Sequence, residues 1–222
     1  MKRIQGVVFD LDGVLVDSEP LHCRAIREAV QTLEVSFSDE EYTLELMGLD
    51  DRTLIARAFA LRGRSVEPAV AAELARLKTE RLARLARDGV AGCPGAVALL
   101  RSAAATLPVG LCSGSRRVEI DLLLDALGPD VRGQFRAIVS SDDVSASKPD
   151  PEGYRRAAGA LGLDPASCLA IEDTASGVAA ARAAGLRVVA VDALGTPERL
   201  AAADRVVPDL TGVGVDTLRS WF

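Results

Sequence analysis

Asp10 and Asp12 stand two residues apart where the apolar run Val7-Val8-Phe9 ends, and Gly13 follows at once. A run of this kind, bounded by a turn signal, reads as a strand buried in a parallel sheet. Ligands of such sheets bind beyond the carboxyl ends of the strands. Both carboxylates therefore fall where a cation or a phosphate would sit, and Gly13 lets the chain turn away without crowding a bound anion. Paired aspartates also start many ordinary turns, so the remaining sequence has to decide. Three further loops carry polar clusters: Ser113-Gly114-Ser115, Ser147-Lys148-Pro149-Asp150-Pro151 and Glu172-Asp173-Thr174. Ser115 is expected to cap the helix after it, and Asp150 to cap another with Pro151 in its first position. Asp173 or Thr174 can cap the helix holding Val178 and Ala179. Capping leaves Lys148 unexplained, and also the meeting of Glu172 and Asp173 with Asp10 and Asp12. So many carboxylates raise one another's pKa unless a cation lies among them. Oxygen-only ligands beside a phosphate favour Mg²⁺.

The clusters meet only if the chain folds so that their strands end at one edge. After Leu15 the pattern turns helical for about 80 residues. Successive apolar faces are Ile26, Ala29, Val30 and Leu33; then Leu44, Leu46 and Met47; then Leu54, Ile55, Ala58, Phe59 and Leu61; and Leu74, Leu77, Leu82 and Leu85. Beyond Gly92-Cys93-Pro94-Gly95 the rhythm becomes strand and helix in alternation. Strands are expected at 109–112, 137–139, 168–171, 188–191 and 205–207, with helices at 96–105, 118–126, 152–161, 176–184 and 197–202. That alternation implies a doubly wound α/β core with a parallel sheet and an α-helical cap inserted near its start. The core is expected over residues 1–16 and 90–222 and the cap over 17–89.

Composition sets outer bounds. The 222 residues are 49% hydrophobic and 26% charged, the balance of an ordinary globular chain. A net charge of −6 argues against nucleic acid as a partner. No apolar run is long enough for a membrane span, and Met1-Lys2-Arg3-Ile4 leaves no room for a signal peptide before the first strand. The four cysteines, Cys23, Cys93, Cys112 and Cys168, lack metal-site spacing and are expected to be buried and reduced in a cytoplasmic protein. A single histidine, His22, gives little support to a Ser-His-Asp triad or a histidine metal site.

With the order Asp10-Leu11-Asp12-Gly13, Ser113-Gly114, Lys148-Pro149-Asp150-Pro151 and Glu172-Asp173 leading to Ser176-Gly177, the chain resembles the haloacid dehalogenase superfamily. Its branch is the one with a helical cap on a Rossmann-like core, which holds sugar-phosphate phosphatases and β-phosphoglucomutase. The resemblance implies that Asp10 attacks phosphorus to give an aspartyl-phosphate, and that Asp12 protonates the leaving alcohol and then assists water. It implies that Ser113 and the Gly114 N–H hold phosphoryl oxygens while Lys148 neutralises charge on them. Mg²⁺ would be held by Asp10, the Asp12 carbonyl and Asp173, with Glu172 binding it directly or from behind. The implied partner is a small phosphate ester, bound by a monomer or a homodimer.

Within the cap, His22 shares the inward stripe with Ile26, Ala29, Val30 and Leu33, the place of a core or hinge residue, and Lys78 interrupts the stripe between Leu74 and Leu82. By resemblance both lie near positions that the mutase uses in its cap and hinge. They are carried with Arg52 as candidate substrate contacts, and Arg116 and Arg117 as groups that attract an anion. In Gly48-Leu49-Asp50-Asp51-Arg52 the arginine comes one place later than in the mutase, after acidic neighbours. A phosphatase is therefore expected, with a mutase as the alternative and a receiver-like phosphoacceptor module as the reading from another class. Dehalogenase and phosphonate-cleaving chemistry fit less well, since Asp12, Glu172 and Asp173 are present and no lysine follows Gly48 closely. Hinges for the cap are expected near 16–18 and 88–92.

Overall fold

Period-two alternation runs through strands that are buried on both faces, as a doubly wound sheet requires. The computed structural model describes residues 3–193 and 195–222, so Met1 and Lys2 of the expected run-in lie outside it. Six parallel strands, β1 (Gly6–Phe9), β2 (Val109–Cys112), β3 (Ala137–Val139), β4 (Cys168–Glu172), β5 (Arg187–Val191) and β6 (Arg205–Val207), lie in the order β3-β2-β1-β4-β5-β6. This order reverses direction at β1 and puts a crevice at its carboxyl end, where Asp10 begins. Phe9 is level with Leu111 on one side and Ile171 on the other, so the segments after β1, β2 and β4 leave the sheet side by side.

Val7, Phe9, Leu111, Ile171 and Val189 face a core shared with α5 (Ala96–Ala104), α6 (Arg117–Leu127) and α9 (Val215–Trp221). Val8, Cys112, Ala170 and Val188 face the opposite way, against α7 (Glu152–Ala160) and α8 (Ala175–Ala184). The second layer is rich in alanine, and the large buried side chain there is Tyr154.

Between β1 and α5 the chain builds a helical insertion with an apolar cluster of its own. It comprises α1 (Glu19–Val30), the single turn α2 (Asp39–Glu41), α3 (Asp51–Ala60) and α4 (Pro68–Ala86). The two crossing segments are tied to each other, Asp17 N–H donating to Ala91 O at 2.9 Å and Cys93 N–H to Leu15 O at 3.0 Å.

Several expectations need correction. Leu44, Leu46 and Met47 do not share a helical face: Met47 N–H bonds back five residues to Tyr42 O, and the widened turn buries Leu46 while leaving Leu44 73% exposed. The first stripe ends at Val30, because Leu33 belongs to a tighter turn and is 37% exposed. The segment expected as a helix at 197–202 is one 3₁₀ turn, Pro197–Leu200, held short by Asp204, which exchanges hydrogen bonds with Val188 to start β6. Helix α9, with Val215 and Leu218 buried, was not anticipated. All four cysteines are free, with Cys112 and Cys168 buried but Cys23 and Cys93 only half-buried. Among the described residues no helix is long and apolar enough to cross a membrane.

Candidate active site

Asp10 leaves β1 into the crevice and is nearly buried. One of its oxygens, Oδ1, lies 2.6 Å from Lys148 Nζ, and the same ammonium reaches Glu172 Oε1 at 2.5 Å. Lys148 also stands 5.2 Å from the centre of the Tyr154 ring. Burial alone would lower the lysine pKa, but the two carboxylates hold it well above the ordinary value. Burial pushes Asp10 up to about 8, with Glu172 and Asp12 adding to the rise against the opposing pull of Lys148.

Glu172 is enclosed completely and every side of its carboxylate is occupied. Oε1 accepts from Lys148 and from Tyr154 Oη at 2.8 Å, and Oε2 accepts from the Asp173 N–H (3.0 Å), the Thr174 N–H (3.1 Å) and Thr174 Oγ1 (3.1 Å). Burial would raise its pKa, yet these donors hold it below the usual range. Its tight seat requires Gly177, where a side chain's first carbon would lie within 1.9 Å of Glu172 Oε1.

Asp173 contrasts with Glu172. Its Oδ1 is buried without a hydrogen-bond partner, and burial beside Glu172 and Asp10 raises its pKa well above the ordinary value. The helix after it is capped instead by Thr174, whose Oγ1 accepts from Gly177 N–H at 3.1 Å, so Asp173 remains free to face Asp10. Gly13, with φ +75°, makes room for it, since a side chain's first carbon there would lie 2.0 Å from Asp173 Oδ2. Oxygens of Asp10, Glu172 and Asp173 come within 4.8 Å of one another. An orphaned oxygen, three clustered carboxylates and oxygen-only chemistry fit a hard divalent cation such as Mg²⁺.

Asp12 points to the other side of the site. Oδ1 accepts from Ser18 Oγ and is 3.0 Å from His22 Nε2, while Oδ2 accepts from Ser115 Oγ at 2.8 Å and Ser113 Oγ at 3.3 Å. Burial opposes ionisation, but His22 and the hydroxyls win and drive the pKa well below the ordinary value. Three expectations change here. Ser115 does not cap α6, whose cap position is Arg116; its hydroxyl donates to Asp12 instead. His22 is buried, but as a partner of Asp12 that lines the site rather than as a plain core residue. Its pKa is raised: burial and Lys78 depress it, and Asp12 with Glu119 more than compensates. Asp150 does not hold the cap position of α7 either, since Pro151 takes it and precedes the helix rather than opening it, but the Asp150 carboxylate does accept from Glu152 N–H at 2.9 Å.

A cavity of about 190 Å³ lies between the sheet edge and the helical insertion, lined by Asp10, Asp12, His22, Lys78, Lys148 and Asp173 among others. Gly114 opens onto it and has free space where a side chain would be. Lys78 does not reach out to solvent. It is buried, its Nζ 2.7 Å from Asp51 Oδ1 and 2.9 Å from Glu119 Oε2. Arg52 is exposed and stays outside the inner cavity, in a wider groove with Arg116 that shares Asp51, Ser147 and Lys148 with the inner one. Arg117 is turned away onto Asp121. Ser18, Ser115, Tyr154, Asp51 and Glu119 all touch candidate residues and were not anticipated in those places. For Glu119 a signal existed, an acid four residues before Leu123 on the apolar face of α6, the counterpart of Lys78 between Leu74 and Leu82.

A family model described as haloacid dehalogenase-like hydrolase matches residues 4–185. Protein CbbY of Rhodobacter capsulatus is 34% identical over 97% of this chain and 98% of its own length. Hexitol phosphatase B of Escherichia coli K12 is 33% identical over 86% of this chain and 85% of its own. A crystal structure of mutant CbbY from Rhodobacter sphaeroides in complex with xylulose-(1,5)bisphosphate superimposes with a TM-score of 0.89 at 30% identity, covering 97% of this chain and 99% of that one.

Proposed function

The chain belongs to the haloacid dehalogenase-like hydrolases and is a phosphatase, and from that premise we propose that it hydrolyses a small sugar phosphate through an aspartyl-phosphate on Asp10. The observation that carries this reading is the position of Asp10, with Lys148 on one oxygen and the carboxylates of Glu172 and Asp173 close by. An oxygen of Asp10 attacks phosphorus in line, the bond from phosphorus to the ester oxygen breaks, and that oxygen takes a proton from Asp12. Asp12 then takes a proton from the water that attacks the phosphoryl group, which frees Asp10 and inorganic phosphate. Four donors around Asp12 favour its anion, which suits the second step. For the first step it needs a proton to give, and His22 Nε2, at 3.0 Å, is the group that shares one with it. Ser113 and Gly114 hold phosphoryl oxygens, and Lys148 offsets their charge. Mg²⁺, held by Asp10, the Asp12 carbonyl and Asp173, would neutralise the substrate phosphate that Asp10 must approach. Glu172 serves from behind, its oxygens being committed to orienting Lys148 and the start of α8.

Residues 17–89 act as a cap over the core of 1–16 and 90–222, with hinges in the paired segments at 16–18 and 88–92. The relatives' names and the polar wall supplied by Glu19, Tyr42, Asp50, Asp51 and Lys78 support an ester carrying several hydroxyls. Arg52, at the mouth, would attract the anion. The test is a screen of phosphorylated sugars with Mg²⁺, measuring phosphate release. Release by the native chain and none by Asp10→Asn supports the reading, whereas isomerisation of a sugar phosphate without net release would replace it with the mutase.

A further inference from the structure

Among the described residues Glu119 is a fully buried carboxylate beside this cleft that no step above uses. It stands in the first turn of α6, on the core side, with its side chain wholly enclosed. Both partners come from α4, on the other side of the cleft. Lys78 Nζ donates to Oε2 at 2.9 Å, and Thr79 Oγ1 donates to Oε1 at 2.7 Å. An enclosed carboxylate is tolerated only while it is paired in this way.

What makes the arrangement two-sided is that each cap donor has a second acceptor inside the cap. Lys78 keeps Asp51 Oδ1 at 2.7 Å, and the Thr79 hydroxyl lies 3.1 Å from Ala75 O, one turn back on its own helix. If α4 lifts away from α6, both donors fall back on these partners while Glu119 becomes hydrated. Neither donor, and neither oxygen of Glu119, is then left without a partner. We propose that Glu119 is the core-side anchor of a reversible latch that holds the cap closed and sets Lys78 at the wall of the substrate cavity. Lys78 and Asp51 both line the cavity that holds Asp10 and Asp12, so closure and presentation of the cation to an anionic ester occur together. Glu119 touches no reacting group; it is a positioning residue that acts through Lys78.

The inference rests on the cleft being where the ester binds, and its test separates the two. Steady-state kinetics on a hydrolysed ester and amide hydrogen exchange without substrate are measured for the full chain, Glu119→Gln and Thr79→Val. Losing one partner of a buried charge pair depopulates the closed state, so Glu119→Gln should raise KM by ~10-fold or more with kcat within ~3-fold. Thr79→Val removes a single hydrogen bond to the anchor and should raise KM by about 3-fold. In both variants exchange should quicken in the middle of α4 and the first turn of α6. A folded Glu119→Gln with unchanged KM and exchange overturns the latch, and so does lower thermal stability with reduced kcat and unmoved KM. Should Glu119→Gln fail to fold, Thr79→Val decides on the same readings. Faster exchange in a chain that hydrolyses no sugar phosphate would keep the latch and sink the sugar-phosphate reading.

Discussion

Two buried lysines each bridge two carboxylates, and the difference between them separates chemistry from motion. Lys148 joins Asp10 and Glu172, which leave adjacent strands of one sheet, so none of its partners can move apart without breaking the fold. Lys78 joins Asp51, on its own side of the cleft, to Glu119 on the other. In the proposed mechanism the same set of charges is rigid where it holds the nucleophile and divided where the cap opens. Preorganised charge in a site that does not rearrange is the larger catalytic resource, whereas a divided pair trades partners at small net cost.

Substitutions at the rigid pair should therefore act on kcat and those at the divided pair on KM. The largest effect is expected for Asp10→Asn, which removes the attacking carboxylate and should leave no measurable turnover. Asp12→Ala removes the proton carrier and should lower kcat by ~10²–10⁴-fold. Lys148→Met should lower it by ~10²–10³-fold, the usual loss for one charge-stabilising donor. A rise in KM alone for Lys148→Met would erase the distinction between the two lysines. The KM changes of Glu119→Gln and Thr79→Val come next. Tyr154→Phe removes only the phenol bonded to Glu172 Oε1 and should cost about 1 kcal/mol of stability with kcat within a few-fold, read from a denaturant melt and a rate assay.

The smallest effect is a pH-dependent stabilisation by the cation. Asp10, pushed up to about 8, and Asp173, also raised, bind protons more tightly folded than unfolded. Their contribution is present below the ordinary carboxylate pKa and falls as pH climbs toward 8. Asp12 and Glu172 are held low and stay ionised across that window. Mg²⁺ should accordingly raise Tm more at pH 8 than at pH 5.5, by calorimetry with and without chelator. An equal rise at both pH values would contradict the seat assigned to the ion.

The sheet and the residues at its edge were legible because strands buried on both faces announce themselves as Val, Ile and Ala runs, and each ends in polar residues that a core would reject. Capping rules, applied to Ser115, misled because a cap oxygen must lie at the helix end to accept from its N–H groups, whereas Arg116 takes that position and the Ser115 hydroxyl is turned to donate to Asp12. Ser18 likewise leaves α1 without a side-chain cap in order to bond Asp12. Such competition is decided by tertiary proximity, which spacing along the chain does not encode. The helical insertion was legible as helices but not as contacts. Lys78 and Glu119 each interrupt an apolar stripe, and only the docking of α4 on α6 turns two local anomalies into one pair.

The central claim is that phosphorus is transferred twice, first to Asp10 and then to water. Hydrolysis of a phosphorothioate ester made chiral at phosphorus with one heavy oxygen isotope, run in water of another, tests it directly. Two in-line displacements predict net retention of configuration in the phosphoryl product, while inversion would mean that water attacks the ester in one step and that Asp10 never carries the group.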